Sequence, residues 1–285
     1  MFRHGDKIGI VCCSNGQKRT YAGKIKCLEN TLADIGLQPV FSDHIYEQES
    51  IFSGSAEERA DSLMKFYQDD RIKGIFDISG GDAANGILPY LDYDIIANSP
   101  KMFWGYSDLT TIINAIYQKT GKASVLYQIK NLIHDHKEKQ IADFRNLITH
   151  NGMDLFHINY KFIQQNEMKG IVIGGNIRCF LKLAGTEYMP ELDKKILLLE
   201  SFTGTVAKME TYLSQLKQIG AFDKVAGIIL GTFTEMETEK CIPAIDTLVK
   251  RIAGEDLPIA VTRDIGHGTD SKGMIIGQEI DFKGE

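Results

Sequence analysis

The sequence predicts an α/β fold: an N-terminal open parallel sheet flanked by helices, then a C-terminal β/α domain with a mixed sheet. Three observations carry this reading. Short apolar, β-branched runs alternate with segments of helical period through residues 1–130, the rhythm of parallel strands joined by crossover helices. Residues 131–168 break the rhythm with four of the seven histidines and little apolar periodicity. The alternation resumes over residues 169–285, so the chain divides into a first domain (1–130), a connecting segment (131–168) and a second domain (169–285).

Taken in order, residues 7–13 (KIGIVCC) are a short apolar run that stops at Ser14-Asn15-Gly16, a strand and then a turn. Residues 20–35 carry apolar side chains at helical spacing and end at Gly36; residues 38–41 read as a second strand. Ser55-Ala56-Glu57-Glu58 opens a helix in which Ala60, Leu63, Met64 and Tyr67 share one face. Residues 74–78 are a third strand, ending on Ser79-Gly80-Gly81. A connector around Asp92 leads to a fourth strand, Met102-Phe103-Trp104, which runs into Gly105-Tyr106-Ser107-Asp108 and a helix marked by Ile112, Ile113 and Ile116.

The connecting segment reads as one helix followed by extended chain. In the second domain, residues 169–173 form a strand ending in Gly174-Gly175-Asn176 and a helix start. Residues 195–199 (KILLL) are a buried type of strand that ends on Glu200. A helix over 206–219, a strand over 225–230 closed by Gly231, and a helix over 242–251 follow. Residues 259–261 lead to Asp264-Ile265-Gly266-His267-Gly268, and residues 274–276 and 279–282 read as a closing pair of short strands.

Composition narrows the function. Apolar residues make up 43% and charged residues 25%, with a net charge of −6 and no Lys/Arg block. Nucleic-acid and membrane-surface partners need a basic patch, so both are excluded. No apolar run approaches the roughly 18 residues of a membrane span. The apolar run near the N-terminus is too short for a signal peptide, so a cytoplasmic protein is expected. Five scattered cysteines make neither a disulfide framework nor a metal knuckle. His134 and His136 lack further ligands at suitable spacing and read as solvated, and neither Gly-Gly strand end continues into a nucleotide-binding fingerprint. No metal and no cofactor are expected.

The chemistry centres on Ser107. A serine on a sharp strand-to-helix turn can present its hydroxyl while the N–H groups at the helix start face a developing oxyanion. Leu109 stands where the usual elbow has a second glycine, and a helix-capping serine would look the same. A serine nucleophile needs a base, and the base needs an orienting acid. Glu200 directly follows a buried-type strand, where a carboxylate requires a partner; capping the next helix or pairing with a lysine would also satisfy it. His267 sits between two glycines at a turn, a setting that suits either a catalytic ring or an exposed one. For a substrate anion, the nearest donors are the N–H groups at Gly175-Asn176, with Arg178 one turn in; Arg178 can equally pair with an acid.

Four blocks, in order, resemble the LD-carboxypeptidase family of serine peptidases, which includes the microcin-immunity type. They are Ser79-Gly80-Gly81 with Ile87-Leu88-Pro89-Tyr90-Leu91-Asp92; Pro100 with residues 101–110; Gly174-Gly175-Asn176 with residues 196–200; and residues 227–231 with Ile265-Gly266-His267. The resemblance implies Ser107 as nucleophile, His267 as general base and Glu200 as its orienting acid. It implies an active site in the cleft between the two domains, an oxyanion hole from the backbone N–H of Asp108 and one from the Gly80-Gly81 loop, and a cytoplasmic homodimer that needs no metal. Three departures fall where substrate would be held: Asp82-Ala83-Ala84-Asn85-Gly86 replaces an aromatic-Gly and arginine, Tyr127-Gln128 replaces Gly-Pro, and Gly268-Thr269-Asp270 replaces Asp-Pro.

The expected activity is hydrolysis of an amide near a substrate's carboxyl end, with a muropeptide as the leading substrate. Two alternatives stay open: a microcin-immunity-type hydrolase of peptidyl- or aminoacyl-nucleotides, and a non-catalytic two-domain protein that binds a small ligand.

Overall fold

The computed structural model describes residues 2–284. Its twelve strands are β1 (Lys7–Val11), β2 (Gln38–Phe41), β3 (Ile72–Asp77), β4 (Phe103–Gly105), β5 (Ser124–Leu126), β6 (Lys161–Gln164), β7 (Glu167–Asn176), β8 (Lys195–Ser201), β9 (Gly227–Phe233), β10 (Ile259–Val261), β11 (Met274–Ile276) and β12 (Glu279–Lys283). They form two six-stranded sheets. The first runs β11-β5-β4-β3-β1-β2 and the second β12-β7-β8-β9-β10-β6. Neighbours are parallel in the first sheet except for β11, antiparallel to β5; in the second, β12 and β6 are antiparallel edges on a parallel centre.

The central strands are apolar because helices cover both faces of the sheet. Ile8 and Ile10 face one core with Leu28, Leu32 and Phe76; Val11 and Ile75 face another with Leu63 and Ile112. The helix Ala56–Gln68 begins where the sequence expects it: Ser55 accepts from the Glu58 N–H at 3.1 Å, and Glu58 accepts from the Ser55 N–H at 2.8 Å. That reciprocal pair satisfies two N–H groups that the first turn leaves unpaired. Lys101 closes the other end, its buried ammonium donating to the carbonyls of Phe66 (3.0 Å) and Tyr67 (2.6 Å).

Residues 274–276 and 279–282 do not close on each other. β11 pairs with β5 in the first sheet, while β12 pairs with β7 in the second. Burial explains the split. Met274 and Ile276 pack into one core of the first sheet and Ile275 against the other, so β11 needs a sheet covered on both sides. β12 is half-exposed throughout and suits an edge. Gly277, at φ +90°, turns the chain from one sheet to the other. β5 lies in a three-residue stretch whose strand character the sequence does not announce, and β9 continues past Gly231 to Phe233. Among the described residues no helix is long and apolar enough to cross a membrane.

Candidate active site

β4 ends at Gly105 and the helix Thr110–Thr120 begins five residues later, so the chain turns sharply through Tyr106, Ser107 and Asp108. Ser107 takes φ +57°, a left-handed conformation that L-residues other than glycine adopt at a cost. A Cβ on Gly105 would lie 2.7 Å from the Leu109 Cβ. Glycine before the serine therefore makes room for the leucine after it. Ser107 does not cap the helix, which has Leu109 at its N-cap and no side-chain cap.

The Ser107 hydroxyl instead meets His267. The Oγ lies 3.1 Å from His267 Nε2, and His267 Nδ1 lies 2.8 Å from Glu200 Oε2. A carboxylate only accepts, so the ring proton sits on Nδ1 and Nε2 is left to accept from the serine. Glu200, at the end of β8, is fully buried. Its second oxygen, Oε1, accepts from Asn176 Nδ2 at 3.1 Å. The sheets thus contribute one residue each from β4's turn and β8, and the loop after β10 brings the histidine between them.

Two aromatic rings bracket the imidazole. Tyr106 meets it edge-on and Phe202 stacks on it at an interplanar angle of 27°, each with centroids 4.9 Å away. Tyr106 is buried, its phenol pushed up by burial and by the neighbouring Glu200 charge, and its hydroxyl has no hydrogen-bond partner among the described residues. Phe202 is 53% exposed, an unusual setting for phenylalanine. Gly266 permits the loop's close approach: a Cβ there would fall 1.7 Å from Thr232 Oγ1.

The Asp108 side chain belongs to a polar knot beneath the elbow. Its Oδ2 accepts from Ser14 Oγ (2.7 Å) and the Ala84 N–H (2.8 Å), and its Oδ1 accepts from Lys182 Nζ. The buried Arg59 guanidinium donates to the carbonyls of Cys13 and Ala83, tying the β1 and Gly-Gly loops together; burial lowers its pKa from the ordinary arginine value. Gly81, at φ +123°, abuts Asn15, and Gly80 accepts from the Asn15 N–H at 3.2 Å. Cys12 and Cys13 are buried, and burial pushes both thiols well up, which keeps them protonated.

At the second-domain helix start, the Asn176 donor and the Arg178 guanidinium expected to meet an anion are already engaged. The Asn176 N–H donates to Thr110 Oγ1 at 3.0 Å, and its side chain caps the helix Ile177–Leu181 while holding Glu200. Arg178 pairs with Asp82 and donates to the Gly81 carbonyl at 3.1 Å. The departure at Asp82 explains this: the acid that stands in the Gly-Gly loop draws Arg178 and Lys182 across the cleft. Lys182, Ser14, Tyr106 and Phe202 escaped sequence reading, and an exposed aromatic two residues after Glu200 was the one available signal. His136 Nδ1 lies 2.8 Å from Thr269 Oγ1, linking the connecting segment to the histidine loop. No group of three His, Cys, Asp or Glu side chains among the described residues is arranged to hold a metal ion.

The chain is similar to known proteins over both of its halves. The LD-carboxypeptidase N-terminal domain description matches residues 8–128 and the LD-carboxypeptidase C-terminal domain description matches residues 169–282. A putative carboxypeptidase of Treponema pallidum is 26% identical, covering 98% of this chain and 90% of its own. A probable murein peptide carboxypeptidase of Bacillus subtilis is 25% identical over 96% of this chain and 87% of its own. The microcin C7 self-immunity protein MccF of Escherichia coli is 29% identical over 75% of this chain and 72% of its own. The structure of MccF in complex with glutamyl sulfamoyl guanosine superposes with a TM-score of 0.87 at 23% identity, covering 100% of this chain and 97% of that one.

Proposed function

The chain belongs to the LD-carboxypeptidase family, and from that premise we propose that it is a serine-type carboxypeptidase with Ser107 as nucleophile, His267 as general base and Glu200 as the orienting acid. The observation that carries this reading is the unbroken relay from the Ser107 hydroxyl through both ring nitrogens of His267 to a buried carboxylate. As Ser107 Oγ attacks the amide carbonyl, its proton passes to His267 Nε2, and Glu200 stabilises the imidazolium. The oxyanion forms against the backbone N–H of Asp108 and one from the Gly81 side of the Gly-Gly loop. His267 then protonates the leaving amine, and water deacylates the serine by the reverse use of the same ring. The enzyme acts in the cytoplasm as a homodimer under the same reading.

The murein peptide carboxypeptidase relative supports a muropeptide as the substrate; under this reading it loses a terminal D-amino acid from an L,D bond. A second reading, hydrolysis of an aminoacyl-nucleotide amide, is favoured by the likeness to MccF. The two are separated by mass spectrometry of products after incubation with a muropeptide pool and with an aminoacyl-sulfamoyl adenylate. Release of the terminal residue from the muropeptide, together with fluorophosphonate labelling at Ser107, is expected. Turnover of the adenylate alone moves the assignment to the second reading, and failure of Ser107 to label overturns the nucleophile.

A further inference from the structure

A second concave site lies on the first sheet, away from Ser107. It encloses about 230 Å³ beside the carboxyl ends of β1 and β3, and its polar lining includes Gln17, Lys24, Lys130 and His134. Lys24 comes from the first turn of the helix Ala22–Ile35, while Lys130 and His134 come from the turn Ile129–Ile133 and the residue after it. Three basic side chains from two segments thus converge, and no acidic residue lines the cavity. Among the described residues none of the three has a carboxylate oxygen within 4.0 Å or a side-chain hydrogen bond; the Lys24 ammonium has only the Tyr21 ring, 5.3 Å from its centroid.

Like charges held together in a partly desolvated hollow are unfavourable unless something negative joins them. The nearest acids supply it only in part. Asp77 spends its carboxylate on the Cys13 N–H (2.7 Å) and on the N–H and hydroxyl of Ser79, and Asp135 is a neighbour of His134 outside the lining. Burial first, then Lys24 and Lys130, lower the His134 pKa, against the opposing pull of Asp135. Burial likewise lowers Lys130, against the opposing pull of Cys12 and Asp77.

The topology favours a ligand here. β1 is followed by β2 on one side of it and then by β3 on the other, so the chain reverses direction across the sheet between β1 and β3. Open α/β sheets bind ligands at such switch points, beyond the carboxyl ends of the strands. Gln17, from the β1 loop, donates to the Ile78 carbonyl at 2.9 Å and closes the crevice floor between those two strands.

We propose that this cavity binds a phosphate-class oxyanion held by Lys24, Lys130 and His134, at a site distinct from Ser107, His267 and Glu200. The site does not depend on the assigned hydrolysis. Such an anion would give the two unpaired ammoniums charge-assisted hydrogen bonds and accept a third bond from the His134 ring.

The test titrates the full chain with inorganic phosphate by calorimetry, using chloride at matched ionic strength as reference. Saturable one-to-one binding is expected, with Lys24→Gln and His134→Gln each weakening it and Lys24→Gln/Lys130→Met weakening it roughly tenfold or more. The two single variants change partly exposed side chains, so they keep the test decisive if the Lys130 variant folds poorly. Ser107→Ala is expected to bind phosphate as the wild type does, which separates this site from the nucleophile assignment. Competitive inhibition of hydrolysis by phosphate would mark the oxyanion as part of a substrate; binding without effect on KM would mark a free ion, and both uphold the site. An effect reproduced by chloride, or affinity unchanged in all three variants, overturns it.

Discussion

Ser107 presents its hydroxyl through a backbone conformation that serine ordinarily avoids, and this separates stability from activity at one position. Ser107→Gly relieves the left-handed strain, so it is expected to be at least as stable in thermal melts as Ser107→Ala, while both abolish hydrolysis. His267→Ala is expected to lose as much activity as Ser107→Ala, with the double variant little worse, because the residues act as one unit. Glu200→Gln keeps the shape of the relay and is expected to lose less, still by orders of magnitude in kcat. If Ser107→Ala retained turnover, the proposed mechanism would fail. Arg178→Ala makes a sharper point. Since Arg178 holds Asp82 and the Gly81 carbonyl, the loss is expected to fall equally on a free-carboxylate substrate and its amide, and mainly on kcat. A loss confined to the carboxylate substrate would return Arg178 to substrate recognition. At this scale the sequence was informative where chemistry is local: Gly105 before Ser107, a carboxylate ending a buried strand, a histidine between glycines. It was silent on partners distant along the chain, such as Ser14, which lies 94 residues from Asp108.

Among the elements, the loop that carries His267 has the least room for change. Gly266→Ala puts a methyl group onto Thr232, and accommodating it is expected to cost about 1–3 kcal/mol and to move His267 off Ser107. Thr232→Ala in the same chain is expected to recover part of both losses, measured by melting temperature and kcat; no recovery would mean that the strain arises elsewhere. Helix and strand identities were legible where capping or alternation was strong, as at Ser55 and in β1. Strand identity failed at β5, where three residues offer too few positions for a period to show; residues 274–276 were read as a strand, but its partner was not. The destination of β11 was set by burial on both faces, a property of the assembled sheets.

The molecule as a whole is pinned across its cleft by the Asp108–Lys182 pair. Asp108 is fully buried, so Lys182→Met leaves an uncompensated carboxylate and is expected to destabilise by roughly 3–5 kcal/mol. Asp108→Asn added to that variant is expected to restore much of the stability, read from urea midpoints; additive losses would show that the two do not act as a pair. The overall architecture was the most legible feature of the sequence, because the alternation of apolar runs and helical segments extends over most of the chain. The return of β11 to the first sheet has a consequence for folding. Without residues 274–276 in place, β5 would be an open edge of the first sheet, and the loop carrying His267 would lose its anchor a few residues downstream. Under the proposed mechanism, pairing of β11 therefore does two things at once: it covers the β5 edge against edge-to-edge pairing and anchors the chain just after the histidine on which amide hydrolysis would depend.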